Sequence, residues 1–201
     1  MMRMPEGETI YRFRLLPKDI GVALVVLVAL ALGFLLFVQV TGRTRAFQAA
    51  DVPFSIALPA TWVDVESLQD VILNVEDPQT GSAFKTTFTV ESRDLDPQDP
   101  PTLQELVDRR VQLHAELTGY HFLNSSEVTI AGVKGARVEY AYVVQPIDTP
   151  RRASLPVVVV AREYIVVMPE RSYFLSLAAP EQEFERAARR FELMLATVRF
   201  G

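Results

Sequence analysis

The chain has 201 residues, 49% of them hydrophobic and 22% charged, with a formal net charge of −5 and no cysteine. Without thiols there are no disulfide staples, CxxC redox pairs, thiolate metal sites or cysteine nucleophiles. The acidic balance argues against nucleic acid as a partner, because a phosphate backbone selects a basic footprint.

The first element is almost pure hydrocarbon. Residues 20–40, IGVALVVLVALALGFLLFVQV, carry no charge, and fifteen of them are Leu, Ile, Val or Phe. As a helix rising about 1.5 Å per residue, the run spans roughly 32 Å, the thickness of a bilayer's hydrocarbon core. Even at about −0.3 kcal/mol each, these residues favour insertion by roughly 4–5 kcal/mol. A core helix would show a polar stripe, and this run has none. The rival is a cleaved signal peptide, whose apolar region runs about 7–15 residues and ends at a small-x-small site. This run is longer, and AFQAA (46–50) fits such a site poorly, which favours a retained anchor. Arg12, Arg14 and Lys18 precede it closely, with Arg3 further out, against Arg43 and Arg45 behind it. The positive-inside rule then predicts a cytoplasmic tail (1–19), a single span (20–40), a short tether (41–52) and a domain outside the cytoplasm (53–201). About 150 residues is enough to bury a core without staples.

The outer segment opens with FSIALPATW (54–62), a short strand closed by Pro59, with the chain's one tryptophan, Trp62, just beyond. VILNVE (71–76) and AFKTTFTVES (83–92) flank DPQTGS and read as a hairpin. In the second strand Phe84, Thr86, Phe88 and Val90 share one face, with Lys85, Thr87, Thr89 and Glu91 on the other. SRDLDPQDPP (92–101) is a loop carrying Asp94, Asp96 and Asp99. Thr102 and Glu105 then make a capping box for a helix whose apolar stripe is Leu103, Leu106, Val107, Leu113 and Leu117, with Gly119 as its stop. FLNSSEVTIAG and ARVEYAYVVQ form a second strand pair, with Val138, Tyr140, Tyr142 and Val144 on one face. PIDTPRRASLP (146–156) reads as a loop, VVVVAREYIVVM and YFLSLAA as a third pair. A last helix opens at Pro180 and buries Phe184, Ala187, Ala188, Phe191, Met194 and Leu195, and TVRF adds a terminal strand. The result is an α+β domain: a mainly antiparallel sheet with helices packed on its faces.

This series resembles the PsbP-like superfamily, which includes photosynthetic accessory proteins, bacterial envelope lipoproteins and Ran-binding import factors. The likeness rests on FSIALPATW, on IAGVKGARVEYAY (130–142), and on YFLSLAAPEQEF through FELMLATVRF, and it extends over residues 53–201. It implies an α/β/α sandwich and a non-catalytic accessory or binding role. The chain departs from the lipoprotein members by carrying an apolar helix where they carry a lipidated cysteine.

Motifs that carry chemistry are absent from the sequence. There is no GxSxG elbow, HExxH pair or Gly-rich phosphate loop. His114 and His121 are the only histidines. Seven helical residues would put them about 10 Å apart along the axis, too far for one zinc with bonds near 2 Å. The Asp94, Asp96 and Asp99 loop offers oxygens to a cation but lacks the EF-hand's glycine and terminal glutamate. No cofactor is therefore expected. Trp62 reads as packed where the chain turns out of the first strand, with a partner contact as the alternative, and Asp94, Asp96 and Asp99 read as a solvated acidic loop that is also a candidate partner contact. Residues 64–108 hold eleven acids against Lys85 and Arg93, a field able to steer a basic partner. The expected partners are membrane lipid and other subunits of a membrane complex. The expected function is a non-catalytic accessory or assembly subunit, with an envelope module for a small molecule, lipid or cation as the alternative.

Overall fold

The structure, a computed structural model, describes residues 17–66, 71–145, 147–149, 152–153 and 155–201. The chain divides into two compact units, Met1–Gly42 and Arg43–Gly201. In the first unit, helix α1 (Pro17–Thr41) extends the expected 20–40 run slightly at both ends. Pro17 suits the first turn, where its missing N–H has no partner to lose. Every side chain across Ile20–Gln39 is exposed in the isolated chain, so only an apolar surrounding can cover them. That helix is long and apolar enough to cross a membrane, as a span or as a signal sequence. Arg3, Arg12 and Arg14, on which the expected orientation rests, lie outside the described residues.

The second unit begins earlier than the sequence suggests. Strand β1 (Thr44–Gln48) lies within the expected tether and pairs antiparallel with β2 (Phe54–Pro59). Two side chains hold it: Phe47 packs on the core, and Arg45 Nη1 donates to Asp64 Oδ2 at 2.8 Å. Five residues with one aromatic were too few to show a period.

The remaining elements follow in order: β3 (Val63–Asp64), β4 (Val71–Asp77), β5 (Thr86–Asp94), α2 (Leu103–His114), β6 (His121–Ile130) and β7 (Val133–Val144). Then come β8 (Ile147–Thr149), β9 (Arg152–Ala153), β10 (Val157–Val167), β11 (Arg171–Pro180), α3 (Glu181–Leu195) and β12 (Arg199–Phe200). Seven strands form one sheet in the order β3-β4-β5-β11-β10-β7-β6, and every pairing is antiparallel. The stretch read as a loop at 146–156 instead holds the small β8–β9 hairpin, with Pro146, Pro150, Arg151 and Ser154 outside the described residues.

Period two decides which side of the sheet each residue serves. Thr86, Phe88 and Val90 of β5 face α3, as do Tyr173, Leu175 and Leu177 of β11. That side is closed by α3 and by the small sheet β1-β2-β12, so the terminal strand forms as expected, on β2. α3 buries the six residues anticipated for it, with Phe191 fully enclosed between Phe88 and Tyr164. The other side carries Ala136, Val138, Tyr140, Ala161, Ile165 and Phe174, and α2 covers it.

Trp62 belongs to the α3-side core and is 3% exposed. A partner has no surface to meet there, so its reading as a contact residue is corrected: the indole packs where the chain leaves β2. α2 stops at His114 rather than running to Gly119, because Leu117 N turns back to His114 O at 2.9 Å. Leu113, assigned to its buried stripe, is half exposed.

Two glycines in IAGVKGARVEYAY have definite work. Ala131 and Gly132 both have positive φ and close the two-residue β6–β7 turn, the geometry that matches strand twist. Gly135 lies where β7 and β10 approach, and a Cβ there would sit 2.5 Å from the Ile165 carbonyl oxygen. Gly135→Ala should therefore destabilise the domain by about 1–3 kcal/mol, the usual range for overpacking. Urea unfolding of the full chain in detergent, followed by Trp62 fluorescence, would measure it. The native emission should be blue-shifted and shielded from acrylamide until the transition.

Candidate functional site

The site is organised by where α2 starts. Thr102 Oγ1 accepts from Glu105 N at 3.3 Å, and Glu105 Oε2 accepts from Thr102 N at 2.8 Å. The capping box satisfies two donors that a helix start leaves free. Those bonds to Thr102 hold the Glu105 carboxyl below its ordinary range. With the start fixed, the helical repeat sets Leu106, Val107, Arg110 and His114 against the sheet.

There Arg110 meets Glu163, a carboxylate of β10 with no exposure. Glu163 accepts from Arg110 Nε at 3.1 Å, from Arg110 Nη2, from Ser176 Oγ at 2.8 Å and from His114 Nε2 at 3.3 Å. An ionised carboxylate can only accept, so in this arrangement the His114 Nε2 carries the proton. Arg110 also donates to Glu91, Nη1 to Oε2 at 3.1 Å and Nη2 to Oε1 at 3.3 Å, while its guanidinium lies 4.6 Å from the Phe174 ring centre. The His114 ring stacks on Tyr140 at 4.3 Å.

Burial alone would push the Glu163 carboxyl up. The His114 hydrogen bond and the Arg110 charge more than offset it and bring the group down to about 2. Burial likewise opposes the Arg110 charge, but the Glu163 and Glu91 carboxylates outweigh it and raise the guanidinium above its ordinary range. Burial, reinforced by the Glu163 charge, pushes the Tyr140 hydroxyl above the tyrosine range. A carboxylate this acidic, already accepting four bonds, makes a poor general base. The cluster ties α2 to the sheet.

Beside this cluster lies an open cleft of about 420 Å³ between α2, the loop after β5 and the start of β11. Asp94, Asp96 and Asp99 all line it, so the structure brings the three predicted aspartates to one place. Asp94 is paired with Arg171 Nη2 at 2.7 Å, and Asp96 Oδ1 accepts from Gln98 N at 2.9 Å. Asp99 has no hydrogen-bond or ion-pair partner among the described residues. Trp62 lies away from the cleft, in the core on the α3 side. His121 opens β6 on the surface, apart from His114 on α2. Among the described residues no group of three His, Asp or Glu side chains is placed to hold a metal ion.

Arg110 and Glu163 were not picked out from sequence, yet both leave a mark there. Glu163 interrupts the period-two face of Ala161 and Ile165, and Arg110 follows Val107 by three on the apolar stripe of α2. Opposite charges on two faces that must each be buried signal a pair.

Comparison with solved structures places the second unit in a known fold. It is similar to cyanobacterial PsbP (CyanoP) from Synechocystis sp. PCC 6803, with a TM-score of 0.58 at 10% identity, covering 79% of this chain and 92% of that one. It is also similar to LpqN of Mycobacterium tuberculosis, described as involved in cell envelope biogenesis, with a TM-score of 0.55 at 12% identity, covering 78% and 90%. A third likeness is to PA94 of Pseudomonas aeruginosa, described as a putative regulator of unknown function, with a TM-score of 0.50 at 12% identity over 77% and 95%. No family model matches the sequence, and no curated protein does. The fold is therefore PsbP-like, as the sequence resemblance implied.

Removing one member of the buried pair should leave the other charged and unpartnered. Arg110→Met is expected to cost about 3–5 kcal/mol, while Arg110→Met with Glu163→Leu should recover most of that loss. Denaturant unfolding of the full chain would measure both. Acid has a defined sign as well. The native Glu163 titrates near 2 and an unfolded glutamate near 4.5, so its stabilisation is complete above that upper value and disappears as pH falls towards the lower. Glu163→Gln should flatten the loss of stability across that window.

Proposed function

We propose that this chain is a single-pass membrane protein whose PsbP-like domain stands outside the cytoplasm and serves, without catalysis, as an accessory or assembly subunit of a larger membrane complex. One observation carries the reading. An apolar helix with no protein cover precedes a domain whose buried polar cluster is locked by its own hydrogen bonds rather than poised to react. The description of LpqN as involved in envelope biogenesis supports a place in the cell envelope. The PsbP-like fold supports an accessory role. The cations ahead of the helix support a cytoplasmic amino end.

A second reading, an envelope module for a small molecule, lipid or cation, is favoured by the 420 Å³ cleft. Its wall includes Ser172, 1% exposed, whose hydroxyl has no hydrogen-bond partner.

Topology is directly testable because the chain has no cysteine. In intact cells, a cysteine replacing exposed Glu185 should react with a membrane-impermeant maleimide, and one replacing Met2 should not. The reverse pattern would invert the proposed orientation. Purification at native expression in mild detergent, followed by mass spectrometry, should return other membrane subunits in constant ratio. Recovery of this chain alone would contradict the accessory role.

A further inference from the structure

The cleft beside α2 has a net charge that its internal pairs do not cancel. Arg93 and Arg110 are neutralised by Glu91 and Glu163, and Asp94 by Arg171. Glu105 is committed to the helix cap. Asp96 and Asp99 are left without a cation, against Arg109 alone, which forms no ion pair among the described residues. Between these charges the cleft is lined by Leu95, Leu106 and Leu113, and the exposure of Leu113 is what opens this apolar wall. Ser172 supplies a second and independent sign of a missing ligand: a buried hydroxyl lining the cleft with nothing to bond. Leaving such a group unsatisfied is costly, so a polar atom brought to it would be favoured.

A bare metal ion does not suit this arrangement, since among the described residues no three His, Asp or Glu side chains are grouped to hold one. Dispersed carboxylates over hydrocarbon suit a cation carried on an apolar stem. We infer that the cleft lined by Asp96, Asp99, Leu106, Leu113 and Ser172 receives a lysine or arginine side chain from a basic segment of a partner protein. The stem lies on the leucines and the charge meets the two free aspartates. The acidic balance of residues 64–108 draws such a segment towards this side. The cleft also lies at a defined end of the domain. Leu95 N bonds Glu170 O at 2.8 Å in the β10–β11 turn, and Pro169 and Phe200 of that end share a second hollow with Pro53. Pro53 precedes Phe54, at the end of β2 away from the Thr44–Pro59 pair where the chain enters the domain.

This inference rests on the reading of the chain as an accessory subunit, and its test separates the two. The probe is a fluorescein-labelled Ala-Arg-Leu-Arg-Ala peptide, titrated by anisotropy against the full chain in detergent, with spermidine as a competitor. Asp96→Asn with Asp99→Asn keeps the Asp96 acceptor for Gln98 and should weaken the peptide about tenfold, as loss of close opposite charges does. Ser172→Ala should weaken it less. Glu181→Gln with Glu185→Gln, on exposed α3, should leave it unchanged. Unaltered affinity in the Asp96/Asp99 variant would overturn the inference, as would equal loss in the α3 variant, and tighter binding of spermidine than of the peptide would reassign the cleft to free amines. Membrane subunits that still co-purify with the Asp96/Asp99 variant, alongside wild-type peptide binding, would sink the cleft and spare the accessory role. Peptide binding that depends on the aspartates, in a chain that purifies alone, would do the opposite.

Discussion

A carboxylate with no exposure sits on the middle of the sheet, and it stays ionised there because α2 delivers the His114 N–H and the Arg110 guanidinium to it. The Glu163–Arg110 contact constrains much else in the domain. Once Arg110 is committed to Glu163 and Glu91, the rotation and height of α2 on the sheet are set, because a planar fork cannot be satisfied by two carboxylates from many positions. The rotation puts Leu106 and Val107 into the core and leaves Leu113 at the cleft. The pair contributes orientation more than net stability, since desolvating both charges consumes most of what their attraction returns.

The two sides of the sheet solve the burial problem differently. On the α3 side most contacts are apolar and aromatic, with Phe54 stacked on Tyr173 and with Phe88 and Tyr164 enclosing Phe191, and the ion pairs Arg162–Glu192 and Arg190–Asp77 lie beside them. On the α2 side a short helix of twelve residues covers less of the sheet, and polar groups complete the cover. A cleft survives there because α2 is shorter than the strands it rests on. The cleft thus lies on the face that carries the Arg110–Glu163 tie.

Much of the fold was legible in the sequence for a physical reason: its long elements carry clean periods. β5 alternates without error through Thr86, Phe88 and Val90, and α3 presents its six buried residues at helical spacing. What escaped was short or tertiary. β1 is five residues long and is a strand because β2 offers it an edge, and β8 and β9 are shorter still. Trp62 illustrates another limit: a tryptophan three residues after a proline reads first as core and second as an anchor for a partner, and its enclosure decides for the core. The aspartate loop was legible as an acidic segment but not as one wall of a cleft, because the opposite wall comes from α2 and β11. Arg110 and Glu163 lie 53 positions apart, a separation that no local pattern can join.

The most direct test of this account is the titration of Glu163 itself, read from its side-chain carboxyl carbon by NMR in the full chain labelled at glutamate. The account predicts that the resonance stays at its ionised position down to about pH 2. A Glu163 that takes up its proton near or above neutral pH would contradict it. Such a group would be free to exchange a proton, and the tie between α2 and the sheet would not be the one described above.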